Sequence, residues 1–253
     1  MGSSRRMMQR YCVAVTCAFL ALVPLTAQRA QSLELSAYDA RPLADVISQL
    51  ETRYGWIITY EDPPYEFTGD LDDVTLSVVR DPKNFKGKVL VPRRRRFDFK
   101  YPVSDRPRAE DVLAAVIRDY NMSGNHDGFR LLRTGSVFHV VPSVSANTVG
   151  LPTDRQSRLD VRVTIPVAER SVLETLELVA AQVRELTGVR IGMGGGNFLR
   201  QKKVRTGAAT EPARDVLVRA LASTGRDFSW RLQCDPGATK LCFFNVHVVK
   251  PPE

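Results

Sequence analysis

One order of segments runs through this chain twice, and that order limits the fold more than any single motif does. Residues 33–40 alternate well enough to be a strand. Pro42 opens a helix, as proline does comfortably in a first turn. Leu43, Val46, Ile47, Leu50 and Tyr54 give that helix one apolar face, and Gly55 ends it. Residues 56–60 (WIITY) are dense in aromatic and β-branched side chains and read as a strand. Residues 97–101 read as another. Residues 104–107 then supply capping and first-turn residues for a second helix, with Val112, Leu113, Val116, Ile117 and Tyr120 on one face. Residues 124–128 break it, and 129–133 and 137–141 form a hairpin across Thr134-Gly135.

The same order returns in the second half. Residues 159–165 (LDVRVTI) alternate clearly, and the helix that follows carries Leu173, Leu176, Val179, Ala180 and Val183 up to Gly188. Residues 189–193 and 204–208 are short strands. Thr210 and Pro212 open a helix with Val216, Leu217, Ala220 and Leu221 inward, ending at Gly225. Residues 228–232 and 241–249 close the unit as a hairpin. Some stretches match literally: Asp111-Val112-Leu113 answers Asp215-Val216-Leu217, and Phe138-His139-Val140-Val141 answers Val246-His247-Val248-Val249.

The expected fold class is α+β: two small β-α-β-β-α-β-β modules, 33–142 and 157–250, each with two helices packed on a mixed sheet. Residues 143–156, rich in Ser, Asn, Thr, Pro and Asp, read as a linker. The first copy carries about 26 extra residues between its helices, within 61–96, and a loop of that length is usually functional or mobile.

The helix opening Pro42-Leu43-Ala44-Asp45-Val46, then Gly55 and an aromatic strand, resembles the secretin and TonB amino-terminal short domain. So does the stretch from Asp215-Val216-Leu217 through Ala220-Leu221-Ala222-Ser223-Thr224-Gly225, followed by a hairpin ending in alternating valines. The resemblance covers most of residues 33–250 as two divergent copies. It departs from the family in the insertion and in the glycine run of the second copy. It implies a docking and signalling module without enzymatic activity, of the kind found at the periplasmic end of outer-membrane secretins and TonB-dependent receptors. The implied partner is another envelope protein, within an outer-membrane complex; no cofactor is implied.

The amino terminus points to the same compartment. Arg5, Arg6 and Arg10 precede an apolar run over residues 11–25 and then Thr26 and Ala27, the pattern of an export signal cleaved after Ala27. A spanning helix needs about 20 apolar residues, which this run lacks. Ser4-Arg5-Arg6 hints at twin-arginine export, but Met8 and Gln9 fit that pattern poorly. Neither Cys12 nor Cys17 sits where a lipoprotein cysteine would. Removing residues 1–27 takes away three arginines and no acid, so the net charge of +8 falls to +5. That surplus, with no RNA-binding signature, zinc finger or recognition helix, excludes nucleic acid as the expected partner. No later segment is apolar enough to span a bilayer, and at 43% hydrophobic the chain is too apolar to be disordered. Cys234 and Cys242 form an even pair around Asp235-Pro236-Gly237, which reads as a disulfide near the end of a hairpin.

Each candidate site has a plainer counterpart. The run GMGGGN (192–197) invites a phosphate loop but lacks the Gly-Lys-Ser/Thr ending, and it reads as a flexible turn between two strands. Arg93, Arg94, Arg95 and Arg96, with Lys83, Lys86 and Lys88, are the first choice for a partner-binding patch. Their plainer reading is a solvated strand edge. Asp70, Asp72 and Asp73 lack the glycine and closing glutamate of a calcium loop. His139 and His247 occupy matching strand positions and, with His126, suggest no metal set. No metalloprotease helix, nucleophile elbow or S-x-x-K run is present, so no catalytic residue is assigned. The expectation is an exported, non-catalytic docking protein. The alternatives are a cell-wall or glycan-processing enzyme with its site in 61–96, and a small-ligand binder using the groove between modules.

Overall fold

The computed structural model describes residues 31–194, 197–236 and 240–251. The expected signal segment, with its cut after Ala27, lies outside them, as do parts of the glycine run and of the 235–237 turn. The described chain is α+β. Its first half comprises β1 (Gln31–Asp39), α1 (Pro42–Tyr54), β2 (Ile58–Glu61), β3 (Leu71–Asp73), the single turn α2 (Thr75–Val78), β4 (Leu90–Pro92), β5 (Arg95–Val103), α3 (Ala109–Met122), β6 (Gly128–Thr134) and β7 (Val137–Ala146). After β8 (Pro152–Asp154) come β9 (Arg162–Ser171), α4 (Val172–Thr187), β10 (Arg190–Gly194), α5 (Asn197–Gln201), β11 (Lys203–Pro212), α6 (Ala213–Ala222), β12 (Phe228–Cys234) and β13 (Leu241–Val248).

The helix ends follow from local chemistry. Pro42 stands in the first turn of α1, and Gly55 closes it at φ 67°, a conformation that costs glycine nothing. Ser171 caps α4 in a reciprocal box with Glu174, and Gly188 ends it at φ 73°. In both helices the glycine N–H returns to the carbonyl of the same cap position, Glu51 in α1 and Arg184 in α4.

The strands pair by one rule in both halves. β2 runs parallel to β7, and β7 antiparallel to β6; likewise β10 runs parallel to β13, and β13 antiparallel to β12. β1 pairs with β5, and β9 with β11, as separate antiparallel ribbons, so the strands of each half are divided between a ribbon and a larger sheet. The expectation of one mixed sheet per half is corrected accordingly. Each helix pair packs between its ribbon and its sheet strands and shares one apolar cluster with them. The larger sheet does not stop at the boundary of a half. Its order is β10-β13-β12-β2-β7-β6, joined by parallel pairing of β12 with β2 at Arg231↔Tyr60 and Leu232↔Glu61.

Because successive side chains alternate between faces, this junction also fixes where the helices lie. Trp230 and Leu232 point into the cluster of the second half, whereas Arg231 between them reaches Ser48 and Glu51 on α1. The helices of the two halves therefore cover opposite faces of one continuous sheet.

Four expectations need correction. Residues 143–156 do not run free as a linker: β7 continues to Ala146 and β8 folds back on it at Val144↔Asp154, so backbone pairing outweighs a loop-like composition. Leu159 and Asp160 belong to a 3-10 turn, Arg158–Asp160, and the strand begins at Arg162 and extends to Ser171. Gly192 and Gly194 belong to β10 and Asn197 begins α5, so the element that follows is a helix and not a second strand. Finally, the literal match of the last strands is out of register. His139 pairs with Thr59 as Phe243 pairs with Gly192, so the counterpart of His139 is Phe243 and not His247. Valine-rich alternation looks alike after any even slip, which is why sequence identity misled there.

Candidate functional site

Where β12 meets β2, charged side chains are buried in pairs. The Arg231 guanidinium donates to the Ile58 carbonyl at 2.6 Å, to Ser48 Oγ at 3.3 Å and to Glu51 Oε2. Glu51 also accepts the Ile58 N–H at 3.1 Å and lies 3.1 Å from His247 Nε2. Burial works against the Glu51 carboxylate, but the His247 hydrogen bond and the Arg231 charge hold it below the usual range. Asp62, fully buried, accepts the Cys234 N–H at 2.8 Å and Arg41 Nε at 2.7 Å. Burial raises the Asp62 carboxyl despite Arg41. On the opposite face Glu61 accepts from Ser157 and from the Arg158 N–H, beside an Arg214 that also bonds Asp160. His139, with its ring 2.7 Å from Thr59 Oγ1, is held neutral: burial and then Arg214 pull its pKa down to about 3. This seam fastens the halves together.

The insertion resolves into a second cluster. Asp72 pairs with Val91 across the β3–β4 ladder, so the acidic knot faces the basic run. Arg93 bonds Asp72 at 3.0 Å, Lys88 lies 3.5 Å from Asp73, Arg95 bonds Asp70, and Arg96 turns to Asp98. Lys83, Lys86 and Arg94 are exposed. Most of the arginine run is thus matched by acids of its own chain. Asp70 also lies 2.7 Å from His126. Nearby Asp127 is pushed up to about 7 by burial and then by the Asp70 charge, and burial raises the Tyr65 and Tyr120 hydroxyls. Two carboxyls, arginines and tyrosines around one space look like acid–base machinery. The space they enclose measures about 10 Å³, however, roughly one water molecule.

The three histidines stand apart, on Thr59, Asp70 and Glu51. Among the described residues no three His, Cys, Asp or Glu side chains converge on a metal position, and no helix is long and apolar enough to cross a membrane. Cys234 and Cys242 are cross-strand partners with their sulfurs 2.08 Å apart. A groove of about 430 Å³ passes beside them, bordered by Tyr65, Arg155, Arg158 and Leu241. A second, of about 380 Å³, lies between α4 and β10 and is lined by Ala180, Ala181, Ile191 and Met193 with the charged Glu177, Arg184 and Arg190. Within the sheet β10 is bonded on one side only.

Sequence reasoning missed the seam residues Arg41, Glu51, Asp62, Arg214 and Arg231. The available signal was Arg231 itself, a cation between Trp230 and Leu232 in a strand otherwise fit for a core. Comparison with protein families, curated proteins and solved structures returns no match.

Proposed function

We propose that this is an exported docking protein of the cell envelope, without catalysis of its own, that recruits a partner protein by extending its sheet. The observation that supports this reading is the β2–β12 junction. A strand from one half is added to the edge of the other by main-chain pairing and locked by buried side-chain charges. Strand addition is a general mode of peptide recognition, giving affinity from the backbone and selectivity from alternate side chains. The resemblance to secretin and TonB-receptor modules and the signal-like amino terminus favour the same compartment and role. Against the alternative of a glycan-processing enzyme, the space between Asp70 and Asp127 is too small for a sugar ring.

The test is isolation of the chain from envelope extracts after crosslinking, with its amino terminus sequenced. Cleavage before Gln28 and one stoichiometric protein partner are the expected results. Turnover of peptidoglycan fragments, abolished by Asp127→Asn, would overturn the reading. To ask whether the basic segment contributes, residues 75–88 can be removed without touching the seam, because the Val74 N–H already bonds the Val89 carbonyl at 2.9 Å.

A further inference from the structure

The internal junction specifies what the open edge of β10 would accept. Strand pairing aligns the two halves residue by residue. Tyr60 lies opposite Val140 and Met193 opposite Phe244; in turn Val140 lies opposite Leu131 and Phe244 opposite Leu232. Met193 thus holds the place of Tyr60, and Ile191 that of Ile58. In the first half this edge is taken by β12, with Arg231 opposite Tyr60 and its guanidinium on Glu51. In the second half no strand among the described residues pairs with this edge. The Arg190 N–H donates to the Lys240 carbonyl, so by alternation Ile191 and Met193 direct their N–H and C=O groups outward.

At one position of the helix behind the edge the charge is reversed, although α4 also carries Glu174, Glu177 and Glu185. The cap position occupied by Glu51 in α1 is occupied by Arg184 in α4, which is exposed beside Ala180 and Ala181 in the 380 Å³ groove. On the other face of the sheet Phe243 is 50% exposed and packs across Gly192, where an added Cβ would come within 3.3 Å of its ring. We propose that the groove between α4 and β10 takes an extended strand of a partner protein, added parallel to β10, with a carboxylate opposite Met193 meeting Arg184 and apolar neighbours lying over Gly192 and Phe243. A second copy adding its β6 edge in the same manner is the poorer occupant: Arg130 holds the place of Arg231 and is taken by Asp160 at 3.2 Å, so it offers Arg184 no carboxylate there.

This inference rests on the docking reading and refines it. Its probe is a synthetic peptide of residues 226–235, the strand that fills the equivalent edge, with Cys234→Ser and either the native Arg231 or Arg231→Glu. The purified chain is expected to bind the Arg231→Glu peptide at least tenfold more tightly than the native one at low salt. Amide exchange should slow at Ile191 and Met193, and Arg184→Glu should reverse the preference. Equal binding of both peptides, no binding at millimolar concentration, an unchanged preference in Arg184→Glu, or protection elsewhere would overturn it. Concentration-dependent self-association of the native chain in sedimentation would assign the edge to a second copy and also overturn it. If a crosslinked envelope partner is retained undiminished by Arg184→Glu, docking stands and this groove is wrong. If no partner is ever captured, the docking reading itself falls.

Discussion

Replacing Arg231 with leucine isolates what holds the two halves together. The Arg231 and Glu51 side chains are 8% and 7% exposed, so the substitution strands a carboxylate that water barely reaches. Glu51 keeps the Ile58 N–H and His247, each at 3.1 Å, with Ser229 near its carboxylate. Breaking one partner of a buried pair costs about 3–5 kcal/mol, whereas replacing both with apolar groups is often close to neutral. Arg231→Leu should therefore lower the melting temperature by roughly 8–15 °C for a domain of this size. Glu51→Leu/Arg231→Leu should recover most of that. The sign with pH is fixed by Glu51, whose pKa is lowered in the fold. Its contribution is present above the usual carboxylate range and is lost as pH falls through the folded value. Without Arg231 that pKa rises, so the deficit of the single variant should shrink as the solution is acidified towards pH 4. The assay is urea unfolding followed by tryptophan fluorescence. Trp56 follows α1 and Trp230 sits in the second core, so Trp→Phe versions of each report one half. The native chain should unfold in coincident transitions, and Arg231→Leu should separate them. A loss below about 1 kcal/mol, or a double variant as weak as the single one, would refute the reasoning.

Other consequences follow from the buried groups. Asp127, pushed up to about 7, resists ionisation in the fold, so native stability should fall as pH rises from about 4 to 7; Asp127→Asn should gain about 2–4 kcal/mol relative to native above pH 7 and little at pH 4, read from urea midpoints. His139, pulled down to about 3, must stay neutral, so its contribution is complete above pH 6.5 and declines below it; His139→Leu should flatten the acid limb of the stability profile between pH 6.5 and 3. Reducing the Cys234–Cys242 bridge removes a short-loop constraint worth about 2–3 kcal/mol, and should lower the melting temperature of the chain without separating its two transitions.

The helices were legible because their signals are local. Pro42, Gly55 and Gly188 are each interpretable from a few neighbours, and the apolar spacing of α1, α3, α4 and α6 needs no knowledge of the rest of the chain. The disulfide pair was legible for the same reason. The junction was not. Nothing near Arg231 in sequence says that its guanidinium will meet Glu51, because the two are brought together only when β12 adds to the edge of β2. Read within its own half, an alternating Trp230-Arg231-Leu232 strand has one core face and one solvent face. The second half covers that face with the first. The matching of Asp72 to Arg93 was hidden likewise, since acidic and basic runs read as separate patches until the β3–β4 ladder faces them.

The same junction raises the question of why the sheet ends. Each half turns over relative to its neighbour, placing its helices on the other face, and that operation has no closing rotation of its own. Repeated between copies it would yield an open, head-to-tail filament, the hazard of any heterologous contact. Both free edges carry main-chain groups able to propagate it. The side chains differ from the internal junction where charge decides the outcome. The place of Glu51 is held by Arg184 and that of Arg231 by Arg130, so the attractive pair of the internal junction has no counterpart there. β6 is guarded further: Arg130 turns to Asp160 at 3.2 Å, and the Arg133 guanidinium lies 5.2 Å over the Phe138 ring. β10 has no such cover among the described residues, with glycines in the strand and a groove behind it. An edge that no other described strand pairs with, beside a groove holding Arg184, is the arrangement expected of a receptive end.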